Sequence, residues 1–158
     1  MKKVILITTV IASAIVVSCN SSGDKKADEN TKTKTRADSL MDDIMAGHDA
    51  SMARMNKLSV FKAKIQHALD YIEALPEKAK KASGIFKVAL DSTRSKLNAA
   101  EGSMNKWMDE FNMDSLENNV AERIKYLESE KLKVNKVLDD INSGVTNADS
   151  LLKKAIRQ

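Results

Sequence analysis

The chain is poor in the residues that interrupt or cross-link a fold. Its 158 residues include one cysteine, one proline, five glycines, one tryptophan, two tyrosines and three phenylalanines. One cysteine excludes an internal disulfide and a thiolate cluster. Few aromatics beside many Ala, Leu, Lys and Glu leave little material for strands. Scattered glycines supply no phosphate-cradling loop, and zinc-protease, serine-elbow and Glu-x-x-His di-iron patterns are absent. No nucleophile, base and orienting group can be assembled, so catalysis is not expected. An excess of one charge is missing as well. There are 26 Lys+Arg and 22 Asp+Glu, and loss of Lys2 and Lys3 with a cleaved leader leaves 24 against 22. So even a balance argues against a nucleic-acid-binding surface.

What the chain does have begins at its N-terminus. Lys2 and Lys3 precede an uncharged, mostly apolar run from Val4 to Val17, then Ser18 and Cys19. That order is a secretory signal ending in a lipobox, where cleavage precedes a cysteine already carrying diacylglycerol. The apolar run of about fourteen residues is too short for the ~20 that a spanning helix needs. Residues 1–18 are therefore expected to be a lipoprotein signal peptide, with lipid attached at Cys19. Each buried methylene contributes ~0.8 kcal/mol, so the two or more chains of a lipoprotein cysteine hold it firmly to a membrane. Asn20, in place of an aspartate, favours the outer membrane of a bacterial envelope. Residues 19–37 read as the lipidated cysteine and a disordered tether. They carry no large apolar side chain to offset the entropy of ordering.

From residue 38 to 158 apolar periodicity predicts three helices, at about 38–75, 77–111 and 115–156. The first is expected to start at a Ser39/Asp42 capping pair. Its inner face reads Met41, Met45, His48, Met52 and Met55, then slips in phase to Leu58, Phe61, Ile65, Leu69 and Ile72. Such a slip implies a stutter or a kink near Ser59. Pro76 ends this helix and suits the first turn of the next. In the second, Phe86, Leu90, Thr93, Leu97, Ala100, Met104, Trp107 and Phe111 hold heptad spacing without a break. The third follows an Asp114/Glu117 capping pair. Its seam is Val120, Ile124, Leu127, Val134, Leu138, Ile141, Val145, Ala148 and Leu152, with Lys131 as the intruder. Short connections make sequential helices antiparallel neighbours. The expected fold is all-α, an antiparallel up-down-up three-helix bundle of long coiled-coil-like helices. It would be a rod ~55–60 Å long with a narrow core and no obvious cavity. Val60, Val88 and Tyr126 are the apolar residues it would leave exposed.

That topology gathers all seven methionines other than Met1 at one end. Met41, Met45, Met52 and Met55 would face Met104, Met108 and Met113, with His48 and Trp107 among them. Methionine fills irregular cores and packs well against an aromatic ring, which explains the cluster without a ligand. Thioether and imidazole donors also suit Cu(I) or Ag(I). Met45, His48, Met52, Met104 and Met108 are the candidate donors for such an ion. Two methionines, a histidine and the nearby Trp107 resemble the ligand set of small periplasmic copper chaperones, whose fold is different. The pair His48-Asp49 offers little acid–base chemistry, because adjacent helical residues face different directions.

The segments His48-Asp49-x-x-Met52 and Trp107-Met108-x-x-Phe111 resemble small helical lipoproteins of the Bacteroidota that automated transfer often labels viral A-type inclusion protein. The resemblance spans the signal and the helical region. It implies no particular activity, but it marks His48, Asp49, Met52, Trp107 and Met108 as the candidate ligand or partner site. The leading expectation is a membrane-anchored envelope lipoprotein acting as a helical protein-binding or spacer module, through another envelope protein or self-association. A Cu(I)/Ag(I)-binding periplasmic lipoprotein is the alternative.

Overall fold

The computed structural model describes residues 33–156, with side chains to Lys154. The signal segment, Cys19 and most of the expected tether lie outside the described residues. The described chain is all-helical, with α1 (Arg36–Glu73), α2 (Glu77–Ala82), α3 (Gly84–Glu110) and α4 (Val120–Ile156), and has no strand among the described residues. α1 packs against both α3 and α4, and α3 packs against α4.

α1 starts earlier than the Ser39/Asp42 pair suggests. Thr35 is the N-cap, its hydroxyl accepting from the Asp38 N–H at 3.1 Å, while the Asp38 carboxylate accepts from the Thr35 N–H at 2.9 Å. This reciprocal box satisfies two donors that a helix start otherwise leaves open. Ser39 behaves as an interior helical serine, donating its hydroxyl to the Thr35 carbonyl at 3.1 Å.

The expected phase slip near Ser59 does not occur. The buried residues of α1 are Leu40, Ile44, Gly47, Ser51, Leu58, Phe61, Ile65, Leu69 and Ile72. They alternate steps of four and three from Leu40 to Ile65, with only the slot at Arg54 exposed, and a second step of four then leads to Leu69. The methionine stripe lies one residue along, about 100° around the helix. The cause is close approach. A Cβ on Gly47 would stand 3.1 Å from Val134 Cγ1, so α4 reaches the backbone of α1 at this point. Ser51, fully buried, returns its hydroxyl to the Gly47 carbonyl at 2.8 Å and leaves no unsatisfied donor. Size selects the small residues for the seam, although methionine is the more apolar.

The second expected helix is interrupted. Ser83 closes α2, its N–H bonded to the Ala79 and Lys80 carbonyls, and its own carbonyl accepts from Lys87 N at 2.9 Å to open α3. Ser83 and Gly84 both have weak helix propensity, and the break falls there. Beyond it the heptad holds, burying Leu90, Leu97, Ala100, Met104 and Trp107.

α4 begins at Val120, later than the Asp114/Glu117 pair predicts. Residues 112–119 form a turn. The Asn112 side-chain oxygen accepts from Asp114 N at 3.0 Å, and that of Asn119 accepts from Glu122 N at 3.2 Å. Leu116 takes φ 61, the left-handed region that a side chain disfavours. Arg123 spans the turn, donating to the carbonyls of Ser115 at 2.7 Å and Met113 at 2.9 Å. The buried line of α4 includes Leu127, Glu130, Val134, Val137, Ile141, Val145 and Ala148. Glu130, rather than Lys131, is the polar residue in the seam. Lys131 turns outward to Asp43 at 2.7 Å.

Each fully buried Leu or Ile in this core contributes about 1.5–3 kcal/mol, far more than the exposed ion pairs around it. Those pairs nevertheless mark register. Arg36 meets Glu128 at 2.9 Å, Lys62 meets Glu101, Arg94 meets Gln66, and Lys87 meets Glu73.

Candidate functional site

Two places depart from a plain packed core. The first lies where the early turns of α1, the end of α3 and the start of α4 meet. Trp107 is buried there, and its indole N–H donates to Glu130 Oε2 at 3.0 Å. Lys133 donates to the other oxygen, Glu130 Oε1, at 2.7 Å. Glu130 is 4% exposed, so the two bonds supply the partners that a buried carboxylate requires. The hydrogen bond to Glu130 in turn holds the Lys133 ammonium above the usual lysine range.

Four rings run in file from this point. The His48 and Trp107 centroids are 5.9 Å apart, Trp107 and Phe111 stack at 4.8 Å, and Phe111 and Tyr126 lie at 6.3 Å. Tyr126, expected to be exposed, is half-buried because it joins this file. Its hydroxyl accepts from Asn112 N at 2.8 Å and pins the start of the turn. Val60 and Val88 are exposed as expected.

Beside the file is a cavity of about 120 Å³ lined by Met45, His48, Trp107, Met108, Phe111 and Met113. Three of the five candidate metal donors therefore share one space: Met45, His48 and Met108. The other two do not line it. Met104 is fully buried in the core, and Met52 is 41% exposed beyond the pocket. Met113, carried in by the turn after α3, is in the lining although it was not among the candidate donors. Asp49 is also outside the lining, yet its carboxylate lies 3.0 Å from His48 Nδ1. Adjacent helical residues thus do meet here, because the imidazole bends back over the helix surface toward a highly exposed carboxylate. Among the described residues, no group of three or more His, Cys, Asp or Glu could hold a metal ion. Any ion at this end would depend on sulfur.

The second place contradicts the expectation of a rod without a cavity. A groove of about 640 Å³ runs between the last turns of α1, the start of α3 and the end of α4. Its lining is mainly apolar, with Phe61, Tyr71, Ile72, Leu75, Phe86 and Leu152, and is joined by Lys64, His67 and the paired Asp149 and Lys153. Ile85 and Val88, 90% and 68% exposed, lie elsewhere on α3 and do not line it. Ser83, at the break between α2 and α3, is part of the groove lining.

No helix of the described residues is long and apolar enough to cross a membrane. Compared with protein-family models, with curated proteins and with solved structures, the chain matches none.

Proposed function

We propose that this chain is a lipoprotein of the bacterial cell envelope, akin to the small helical lipoproteins of the Bacteroidota. On this reading a lipid on Cys19 anchors it in the outer membrane, and residues 19–37 tether its helical part. The helical part is an up-down-up bundle that binds another envelope protein and catalyses nothing. The order of the paired residues supports the bundle. Partners of Lys62, Gln66 and Glu73 on α3 fall through Glu101, Arg94 and Lys87, while those of Arg36 and Asp43 on α4 rise through Glu128 and Lys131.

The observation that carries the binding role is the apolar groove at the α1–α3–α4 end. Its volume falls in the ~300–1,000 Å³ range of pockets that take whole ligands. Apolar surface of this kind, rimmed by polar groups, marks sites of protein interaction. Asp149, also in the lining, accepts from Lys153 at 2.7 Å, so the charges around the groove are partly balanced and its apolar lining selects a segment with an apolar face.

Photo-cross-linking in the native envelope tests this. A photoreactive residue at position 71 is expected to give one discrete adduct with another envelope protein, lost when Leu75→Asp puts a charge in the groove lining. The same probe at Lys125, exposed on α4, is expected to give none. Equal adducts from both positions, or none from either, would reject the groove as a binding site. An adduct of twice the chain mass would assign it to self-association instead. Labelling with a radioactive fatty acid, lost in Cys19→Ala, checks the anchor.

A further inference from the structure

We propose that Met45, His48, Met108 and Met113 form a binding site for one soft monovalent cation, Cu(I) or Ag(I), at the aromatic end of the bundle. The site is independent of the groove and of any protein bound there. Three thioether side chains and one imidazole line a single cavity of about 120 Å³, and no carboxylate lines it. Thioether sulfur is a soft, neutral donor that selects soft d¹⁰ cations over zinc, calcium and magnesium. The cavity can admit an ion, since a water molecule's share of volume is only ~30 Å³.

The imidazole is prepared by its neighbour. Asp49 Oδ1 lies 3.0 Å from Nδ1, an arrangement that fixes the ring and leaves Nε2 as the nitrogen open to a ligand. A carboxylate behind a ligating histidine is the usual second partner at a metal site and raises the donor strength of the ring. The rest of the wall is aromatic. Trp107 and Phe111 stack at 4.8 Å, and the His48 ring is 5.9 Å from Trp107. Ring faces attract a desolvated cation through their quadrupole, so an ion can be held without an anionic ligand. Trp107 is itself held by Glu130 and lacks freedom to turn aside.

Core packing alone does not account for this set. Met104 is fully buried and is explained by packing, whereas Met108 and Met113 remain 37% and 50% exposed beside a histidine. Those partly exposed side chains leave the cavity open to an ion from solution.

The test uses the full-length chain carrying Cys19→Ala, which removes its only thiol. Ag(I) is titrated by calorimetry and by Trp107 fluorescence, and Cu(I) is titrated anaerobically against a chelator. One equivalent should bind and quench the indole. Met45→Leu, Met108→Leu, Met113→Leu and His48→Gln should each weaken binding at least tenfold. Met52→Leu, outside the cavity, should leave it unchanged. Leu for Met conserves volume and keeps the fold, which circular dichroism verifies. Methyl-labelled methionine NMR supplies a second reading: Ag(I) should shift the Met45, Met108 and Met113 methyl signals and leave that of Met52 in place. Absence of binding, binding unaffected by the four substitutions, or equal loss in Met52→Leu would overturn the proposal.

Discussion

The pair Trp107–Glu130 lends itself to a double-mutant cycle, because both partners are buried and bonded at 3.0 Å. Glu130→Leu leaves the indole N–H inside the bundle without an acceptor, which costs about 1–3 kcal/mol. Trp107→Phe leaves the carboxylate with Lys133 as its remaining partner, a loss of similar size, with a further term for the smaller ring. Replacing both partners with apolar groups removes the need for the bond, so the double variant should lose less than the two singles together. The expected coupling is about 1–3 kcal/mol. Urea unfolding should be followed by far-ultraviolet circular dichroism, since Trp107 is the only tryptophan and is itself substituted. Singles that add to within about 0.5 kcal/mol would falsify the reasoning, because independent sites behave that way. The bond would then be geometric without contributing to stability.

Two further expectations concern glycine and pH. Gly102→Ala meets nothing within 4 Å in the middle of α3 and should stabilise by up to ~1 kcal/mol. Gly47→Ala forces a Cβ to 3.1 Å from buried Val134 and 3.2 Å from Asn135 Oδ1, so its midpoint should fall below that of Gly102→Ala. Thermal denaturation compares them, and equal gains would show that α4 yields at Gly47. For pH, hydrogen bonds from Lys131, Lys87 and Lys153 hold Asp43, Glu73 and Asp149 below their ordinary values, and those donated to Glu73 and Asp42 hold Lys87 and Lys34 above theirs. The carboxylates' contribution is complete above their unfolded values near ~4 and is lost as pH falls through the lower folded ones. The lysines' contribution is complete below ~10.4 and is lost as pH rises through the higher folded values. Tm should therefore be flat between about pH 5 and 10, with falls outside that are small and shrink in high salt, because the groups are exposed. A fall centred near neutrality would contradict this assignment.

The long helices and the α3 seam are readable from periodicity, since Leu90, Leu97, Met104 and Trp107 are apolar at the positions that are buried. α1 misleads for a physical reason. Its closest contacts use Gly47 and Ser51, which no hydropathy scale ranks as core, while the adjacent methionines mimic a seam. Glu130 was legible in principle, being three residues after Leu127 and four before Val134, the spacing of a seam position. Its burial follows from an indole N–H that needs an acceptor, a requirement that periodicity does not encode. The groove was not legible, because periodicity does not say how the lining residues of α1, α3 and α4 come together around Ser83. Of the donors at the other end, His48 and Met45 came from helical spacing, whereas Met113 is placed by a turn whose path depends on Arg123 and on a left-handed Leu116.

The contacts between α1 and α4 also set a clock. Arg36 and Glu128 are 92 residues apart in sequence, and Asp43 and Lys131 are 88 apart. A ribosome adding ~5–20 residues per second makes the second member of such a pair roughly 4–20 s after the first. For that interval the stripe from Leu40 to Ile72 has no α4 to cover it. In a nascent chain that stripe therefore stays uncovered until the last helix has been made.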